Sequence, residues 1–309
     1  MSVHHITAQS LRLVLREPTV GLIVALFGGL VLLSGWLGWQ ATATVNKIYL
    51  DAAAFLAAAG KPVPSNPVLD ASPLILLRNM SVYVSLIGAL AAIVTGNRLV
   101  SLDRTAGALP LLASRPVSPL AYAVAKIAAL FVLIAALTAA AAGISVITML
   151  ALPAIDLAPE DWADLAGFFA ISALYMLIFG LIALTAAAGS PSESVGLLIP
   201  VALWLTVMFI LPALTLNLTP TATLNPISAM VPPPDTTFFR LTGWALGPLS
   251  LSEIYGTTAA GLLHFSPANW ISRAAIPPAA SFTLWLTLSG LLALRALIRL
   301  PKVSGDYHA

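Results

Sequence analysis

The chain has 309 residues, of which 59% are hydrophobic and 8% charged, and its formal net charge is +2. Because about a quarter of the residues of a soluble domain are charged, this composition excludes a soluble globular protein and indicates an integral membrane protein. The absence of cysteine excludes disulfides, thiolate metal sites and cysteine nucleophiles.

The N-terminal stretch from Ile6 to Glu17 precedes the first long apolar run. Arg12 and Arg16 are four residues apart and share one side of a helix, while Ile6 and Leu13 fall on another side. This pattern predicts a short amphipathic helix at the membrane surface. A positively charged flank of the first span explains the arginines equally well, so both interpretations stay open.

The first predicted span runs from Thr19 to Gln40, and Trp36 and Trp39 at its end are typical of a membrane interface. We expect an external loop over 47–70, in which residues 52–59 can form a short helix.

A second helix is expected to start at Ser72-Pro73. Its membrane span lies between Arg78 and Arg98, which bracket a run of uncharged residues long enough to cross a bilayer.

The stretch from Arg98 to Lys126 separates the second and third apolar runs. In its middle, Ala108–Ala113 (ALPLLA) is wholly apolar and rises only about 9 Å as a helix, far less than the ~30 Å hydrocarbon layer. A short apolar segment framed by charge needs a covering surface. That surface is either this chain's own helix bundle or a partner protein.

Three further spans follow. The third starts at Ser118-Pro119, and the fourth fills 165–188 after a helix start at Pro159. Ser190-Pro191-Ser192-Glu193 reads as a capping box with proline at the first helical position. It predicts the start of a fifth span that runs to about Leu214.

The region from 215 to 278 is rich in proline, which argues against a simple span. It predicts short helices and loops on the outer side that partly dip into the bilayer. The last span, 279–294, is closed by Arg295, Arg299 and Lys302.

Lysine and arginine bias sets the predicted orientation. With six spans and both termini in the cytoplasm, nine basic residues fall on the inner side and five on the outer side. The protein is therefore expected to be a multi-pass protein of the cytoplasmic (inner) membrane, with the central stretch cytoplasmic.

Three classes of function compete. An ion-coupled carrier normally keeps an ionisable residue within its spans, and the predicted spans hold essentially none. The chain has no G-x-x-x-x-G-K-[ST] motif, so it cannot bind ATP in that way. A permease driven by a separate ATPase fits best, with a carrier or a non-transporting scaffold as alternatives.

The central stretch also resembles a known family. Asp103, Gly107-Ala108-Leu109, Leu111-Leu112, Ser114, Pro116-Val117-Ser118 and Lys126 are similar to the cytoplasmic loop of ABC-2 type transporter permeases. Asp103, Ala108 and Ala125 replace the glutamate, threonine and glycine that are usual there. The step Arg16-Glu17-Pro18 resembles the end of that family's elbow helix, and Asn225-Pro226-Ile227 resembles its step after the fifth span.

The resemblance implies a single all-α transmembrane permease domain over 1–309, like the type V exporters. It has six transmembrane helices, an N-terminal elbow helix (1–18, with Arg12, Arg16 and Glu17), a cytoplasmic coupling loop (97–119) and an outer or re-entrant region (215–278). The residues that it assigns to ATPase coupling are Asp103, Arg104, Gly107, Leu109, Leu111, Leu112, Arg115 and Pro116. We expect the leucines to enter the ATPase, and Arg104 and Arg115 to pair with acidic residues on its rim.

The same resemblance implies a non-catalytic subunit that moves a substrate outward, with ATP and Mg²⁺ bound by a cytoplasmic ATPase partner. A second permease copy or a paralogue, membrane lipids and an accessory outer-side protein are the other expected partners, and nucleic acid is not one. A substrate path would follow the second and fifth spans at Tyr83, Ser85, Trp204 and Phe209. Helix packing and interfacial anchoring are the alternative roles for these four side chains.

Overall fold

The computed structural model describes residues 3–66, 68, 72–105, 107, 118–151, 157–218, 234–265 and 274–306, the last six by their backbone alone. No strand occurs in these ranges. Their helices are α1 (Val3–Leu15), α2 (Pro18–Ala58), α3 (Pro73–Thr105), α4 (Pro119–Ala151), α5 (Pro159–Gly189), α6 (Glu193–Leu216), α7 (Thr237–Leu246), α8 (Leu251–Leu262) and α9 (Pro278–Asp306).

Six of the described helices are long and apolar enough to cross a membrane, which confirms the six predicted spans: α2, α3, α4, α5, α6 and α9. Even the shortest apolar stretch among them, of 23 residues, is about 35 Å long at 1.5 Å per residue and therefore exceeds the ~30 Å hydrocarbon layer. The protein is a multi-pass helical membrane protein.

Contacts at the helix ends show how the spans alternate. At one end, which we call the α1 end, the start of α4 meets α1 through Lys126 Nζ and Ser10 Oγ, 3.0 Å apart. At the opposite end, the far end, Gly35 of α2 faces Thr148 near the end of α4. Ser72, just before α3, donates to Asp161 in the first turn of α5 over 3.2 Å. Successive spans therefore run in opposite directions.

The predicted start at Ser72-Pro73 is confirmed, because Ser72 Oγ accepts the N–H of Leu74 over 3.2 Å. The predicted start at Pro159 is confirmed as well, since α5 begins there.

The capping box predicted at 190–193 is wrong by two residues. Ser190 ends α5, and its N–H donates to Ala186 O over 2.9 Å. Ser192 is the cap of α6 and accepts the N–H of Val195 over 3.4 Å. Glu193 is then the first residue of α6, and its carboxylate is used for an ion pair with Arg98.

The external loop expected from residue 47 is also wrong at its start, because α2 continues to Ala58 and contains the short helix expected over 52–59. Residues 41–58 include seven alanines and no glycine or proline, so nothing stops the helix. The helix ends at Ala58, and Gly60, two residues further on, has a φ of +66° in the left-handed region. There the N–H of Lys61 reaches back to Leu56 O over 3.0 Å, a common helix-ending motif.

The region after the fifth span contains short helices, as expected, and one of them, α8, packs against the spans. Its Tyr255 ring stacks on Tyr175 of α5 with centroids 4.6 Å apart, and the Tyr255 and Ser172 hydroxyls are 2.9 Å apart. His264, just beyond α8, lies 2.8 Å from Asp164 of α5. The step Asn225-Pro226-Ile227 lies outside the described residues.

Helices α3 and α5 cross each other closely. Gly96 packs directly on the backbone of Gly180, and a Cβ at Gly96 would lie well inside van der Waals contact with Gly180 O. Glycine is therefore required there, as at the close helix crossings of other membrane bundles.

We expect Gly96→Ala to lower the melting temperature of the detergent-purified protein, because overpacking typically costs about 1–3 kcal/mol. Gly143→Ala is the matched control, since an added Cβ has no neighbour within 4 Å there. It should be neutral or should gain up to about 1 kcal/mol of helix propensity. Equal melting temperatures for the two variants would contradict the crossing.

Candidate functional site

A buried ion pair lies at the α1 end, at the base of the predicted coupling segment. Lys126 Nζ of α4 is 2.7 Å from Asp103 Oδ2 of α3, and the Lys126 side chain is 2% exposed. Burying two charges is costly unless each also receives further hydrogen bonds. The partners around this pair therefore decide whether it holds the helices together.

Those partners come from α1 and α4. Tyr122 Oη donates to Asp103 Oδ2 over 2.8 Å, and Lys126 donates to Ser10 Oγ over 3.0 Å. Thr7 of α1 donates to the Ala125 carbonyl over 3.2 Å. Tyr122 and Lys126 are four residues apart and so share one face of α4. We call Ser10, Asp103, Tyr122 and Lys126 the polar cluster; it joins α1, α3 and α4.

Arg104 extends these connections to α5. Its Nη1 donates to Ser190 O over 2.6 Å and its Nη2 to Ala188 O over 3.0 Å. A cation at the C-terminus of a helix satisfies its last carbonyls and is favoured by the helix dipole. Two of the Arg104 donors thus bind the backbone of its own chain, and the pairing of Arg104 with acidic residues of a partner stays a prediction.

Arg98 joins the α1–α2 turn to α6. It forms an ion pair with Glu193, and its Nε is 3.6 Å from Glu17 Oε1. Glu17, predicted as part of the elbow, thus contacts the end of the second span. At the α1 end, side chains of α3 thus connect helices α1 to α6 with one another.

Helix α1 packs on the bundle through Ile6, Ser10 and Val14, whereas Arg12 and Arg16 are exposed. The predicted separation of arginines from the apolar face therefore holds. We had expected Leu13 on the packed face with Ile6, but Leu13 is 40% exposed and does not belong to that face.

Only the borders of the predicted coupling segment are described. Gly107 is exposed, has a φ of +60° and ends α3 by donating its N–H to Arg104 O over 3.0 Å. The other predicted coupling residues lie outside the described residues: Leu109, Leu111, Leu112, Arg115 and Pro116. The segment thus leaves α3 and enters α4 next to the polar cluster.

Two of the four predicted substrate-path residues meet in the middle of the bundle. Trp204 Nε1 of α6 donates to Ser85 O of α3 over 3.0 Å, while Tyr83 and Phe209 are half-buried. Ser85 lies in a π turn, Val84–Gly88, after which the Ala89 N–H donates to Val84 O and Leu86 O. The Ser85 carbonyl therefore lacks the N–H four residues ahead that a regular α-helix supplies, and Trp204 takes its place.

Helix α6 also contains a π turn that leaves a carbonyl without its usual donor, and a side chain of another helix supplies that donor. In its π turn, Thr206–Ile210, the Leu211 N–H donates to Thr206 O and leaves Val207 O without that donor. Ser252 of α8 donates its hydroxyl to Val207 O over 2.6 Å. Such π turns often mark functional positions in membrane and soluble helices.

Glu253, next to Ser252, is the ionisable side chain that sequence reasoning missed. Its Oε2 accepts the Thr215 hydroxyl over 2.8 Å at the end of α6. Burial raises the pKa of Glu253 to about 7, against the lowering effect of the Thr215 hydrogen bond. The sequence signal for this residue was a single carboxylate within the apolar run around α8. We had assigned Glu253 to the outer surface.

Neither the models of known protein families nor the curated protein sequences include a match to this chain. The resemblance to ABC-2 permeases thus stays a hypothesis. Among the described residues, no group of three histidine, aspartate or glutamate side chains is arranged to hold a metal ion.

We expect Lys126→Met to destabilise the protein strongly, because it leaves the buried Asp103 carboxylate without its cation, a loss of about 3–5 kcal/mol. The double variant Asp103→Asn with Lys126→Met should melt at a higher temperature than the single variant. Arg12→Met, which removes an exposed cation from the same end, is the control and should change little. If the single and double variants melt together, the two charges do not depend on each other.

A further prediction concerns the replacement of the Glu253 carboxylate by an amide in Glu253→Gln. The pKa of Glu253 is raised to about 7 from 4.5, so the native state binds the proton more tightly than the unfolded chain does. The carboxyl group then destabilises the fold increasingly as the pH rises from about 4.5 through 7. We expect Glu253→Gln to melt near wild type at pH 5 and above it at pH 8.

The matched control for this pH series is Asp51→Asn, at an exposed position of α2 where solvent screens the charge. A melting-temperature difference between Glu253→Gln and wild type that is the same at both pH values would contradict the buried environment.

Proposed function

We propose that this chain is the transmembrane permease subunit of an ABC exporter, driven by ATP that a separate nucleotide-binding subunit hydrolyses. The observation that carries the proposal is the polar cluster. It lies where the ABC-2-like segment leaves α3 and enters α4, and it ties both helices to the surface helix α1.

The proposal explains why charges are buried at this end. A force applied to residues 106–117 enters α3 and α4 at their ends, where Lys126 and Asp103 hold them together. In this proposal Arg104 transmits the force to the end of α5, and Arg98 transmits it to the start of α6. The α1 end is therefore suited to move as one unit when a cytoplasmic partner pushes on the segment.

In this proposal the α1 end faces the cytoplasm, as the bias of nine basic residues against five indicates. Two permease copies, or one copy and a paralogue, bind two ATPase subunits, which supply the ATP and Mg²⁺ sites. No chemical step is assigned to this chain. Movement of α3 against α6 would alter the contact between Trp204 and Ser85. In this proposal the substrate path runs beside their π turns.

One observation favours the second candidate, a proton-coupled carrier. Glu253 of α8 lies outside the six spanning helices and contacts the end of α6 through Thr215. Burial raises its pKa to about 7, so this carboxyl group could take up and release a proton near physiological pH. The two functions differ in their energy source. Transport by the ABC subunit requires ATP hydrolysis and continues with a collapsed proton gradient, whereas a carrier stops when a protonophore is added.

We predict that Leu111→Asp and Leu112→Asp each release the ATPase from the permease, since a carboxylate in a buried apolar contact costs several kcal/mol. The test is copurification from native membranes with vanadate-sensitive ATP hydrolysis as the readout. Leu111→Met is the matched control, because it keeps an apolar side chain of similar volume. Arg115→Ala should be mild, because an exposed rim pair contributes about 0–1 kcal/mol.

All variants in this set should insert normally, since positions 111, 112 and 115 lie between α3 and α4. Wild-type protein that copurifies without any ATP hydrolysis, or aspartate variants that retain it fully, would contradict the proposed function.

A further inference from the structure

Helix α2 extends far beyond the bundle at the far end. Gly38 of α2 faces the backbone of Leu76, in the first turn of α3, and Gly35 faces Thr148 near the end of α4. This level is the far end of the bundle. From Gly38 to Ala58 the helix continues for 20 residues, or about 30 Å at 1.5 Å per residue.

The membrane boundary lies at the same level. Trp36 and Trp39 have ring centroids 5.3 Å apart, and Trp36 is 51% exposed. Paired tryptophans of this kind are typical of the interface between lipid and water. Residues 41–58 therefore project into the aqueous phase, where lipid tails do not cover apolar side chains.

The projection carries an uncovered apolar seam. Its positions recur at alternating intervals of four and three residues, the spacing of the core positions of a coiled coil: Ala41, Val45, Ile48, Ala52, Phe55 and Ala59. Val45 is 47% exposed, Ile48 63% and Phe55 74%. Large apolar side chains in a row on an aqueous helix mark an interaction surface.

The neighbouring face of the projection is covered by this chain itself. Tyr49 donates to Pro64 O over 2.7 Å, and Asn66 donates to Asn46 over 2.8 Å, so the returning segment 61–66 lies on that face. It leaves the seam open. A 4-3 seam fits another helix by knobs-into-holes packing, and lipid or a sheet does not match this geometry.

A second copy of this chain is the occupant that the geometry favours. Anchored in the same membrane with the same topology, its α2 projects in the same direction and to the same height. Each seam residue then faces its own counterpart, as a two-fold axis along the membrane normal requires. The two charged residues of 41–59, Lys47 and Asp51, lie off the seam, so a parallel pair brings no like charges together in it.

We propose that α2 residues 41–59 of two copies form a parallel coiled coil outside the membrane through the Val45–Ile48–Ala52–Phe55 seam. The inference rests on the proposed function in so far as that function calls for a second permease copy. It adds the surface by which the copies recognise each other at the far end, remote from the ATPase.

Disulfide cross-linking in native membranes tests the seam, because the chain has no cysteine of its own. Ile48→Cys and Ala52→Cys place thiols in the seam. Lys47→Cys and Ala54→Cys place them at exposed off-seam positions as matched controls. With copper-phenanthroline, we expect the seam variants to give at least fivefold more self-linked dimer than the controls. Equal yields, or seam thiols that link to a different protein, would overturn the proposal.

A second arm removes the seam. Ile48→Asp and Phe55→Asp together change only exposed side chains and should not prevent insertion, yet they should abolish cross-linking through Ala52→Cys. Unchanged cross-linking in this background would also overturn the proposal. ATP hydrolysis that copurifies is measured in parallel. Seam cross-links without ATPase refute the proposed function alone, and ATPase without seam cross-links refutes the coiled coil alone.

Discussion

The ion pair between Lys126 and Asp103 is the contact on which the α1 end depends, since neither charge is tolerable in an apolar bundle without the other. Satisfying both requires donors and acceptors from three helices, and this requirement fixes where those helices lie. Tyr122 can reach Asp103 only if α3 and α4 keep their register, and Ser10 can accept from Lys126 only if α1 lies flat across their ends. Helix α1 is thereby part of the bundle rather than an independent anchor.

The middle of the bundle meets the same demand with neutral groups. Each π turn leaves a carbonyl without its usual N–H, and in a region without water that carbonyl needs another donor. Trp204 and Ser252 supply these donors from different helices, so the defect in α3 is linked to α6 and the defect in α6 is linked to α8. Neutral hydrogen bonds are weaker than the charged contacts at the α1 end. Relative movement of the spans is therefore easier at the π turns than at the polar cluster.

Much of the fold was predictable because it depends on local signals. Apolar length identified the six spans, and Ser72 and Pro159 marked helix starts by capping and by proline geometry. The capping box failed because Ser190 and Ser192 are equally good caps by sequence, and only the end of α5 decides between them. The reach of α2 was missed because Trp36 and Trp39 mark where the predicted membrane span ends, whereas the helix itself continues through the alanine-rich stretch that follows. The roles of Tyr122, Ser10 and Ser252 were beyond prediction, since each acts through a contact with a residue distant in sequence.

The two ends of the molecule differ in a way that bears on its mechanism. The α1 end is held by charges whose separation would expose a buried carboxylate or ammonium group, so it resists internal rearrangement. The far end is held by hydroxyl and aromatic contacts, by the titratable Glu253 and by the exposed pair of His264 and Asp164. In the proposed permease, a push at residues 106–117 would therefore move the α1 end as one body, and the helices would separate at the far end. In the proposed dimer, opening there does not require the projecting parts of α2 to separate, because residues 41–58 lie beyond the level at which α3 begins and α4 ends.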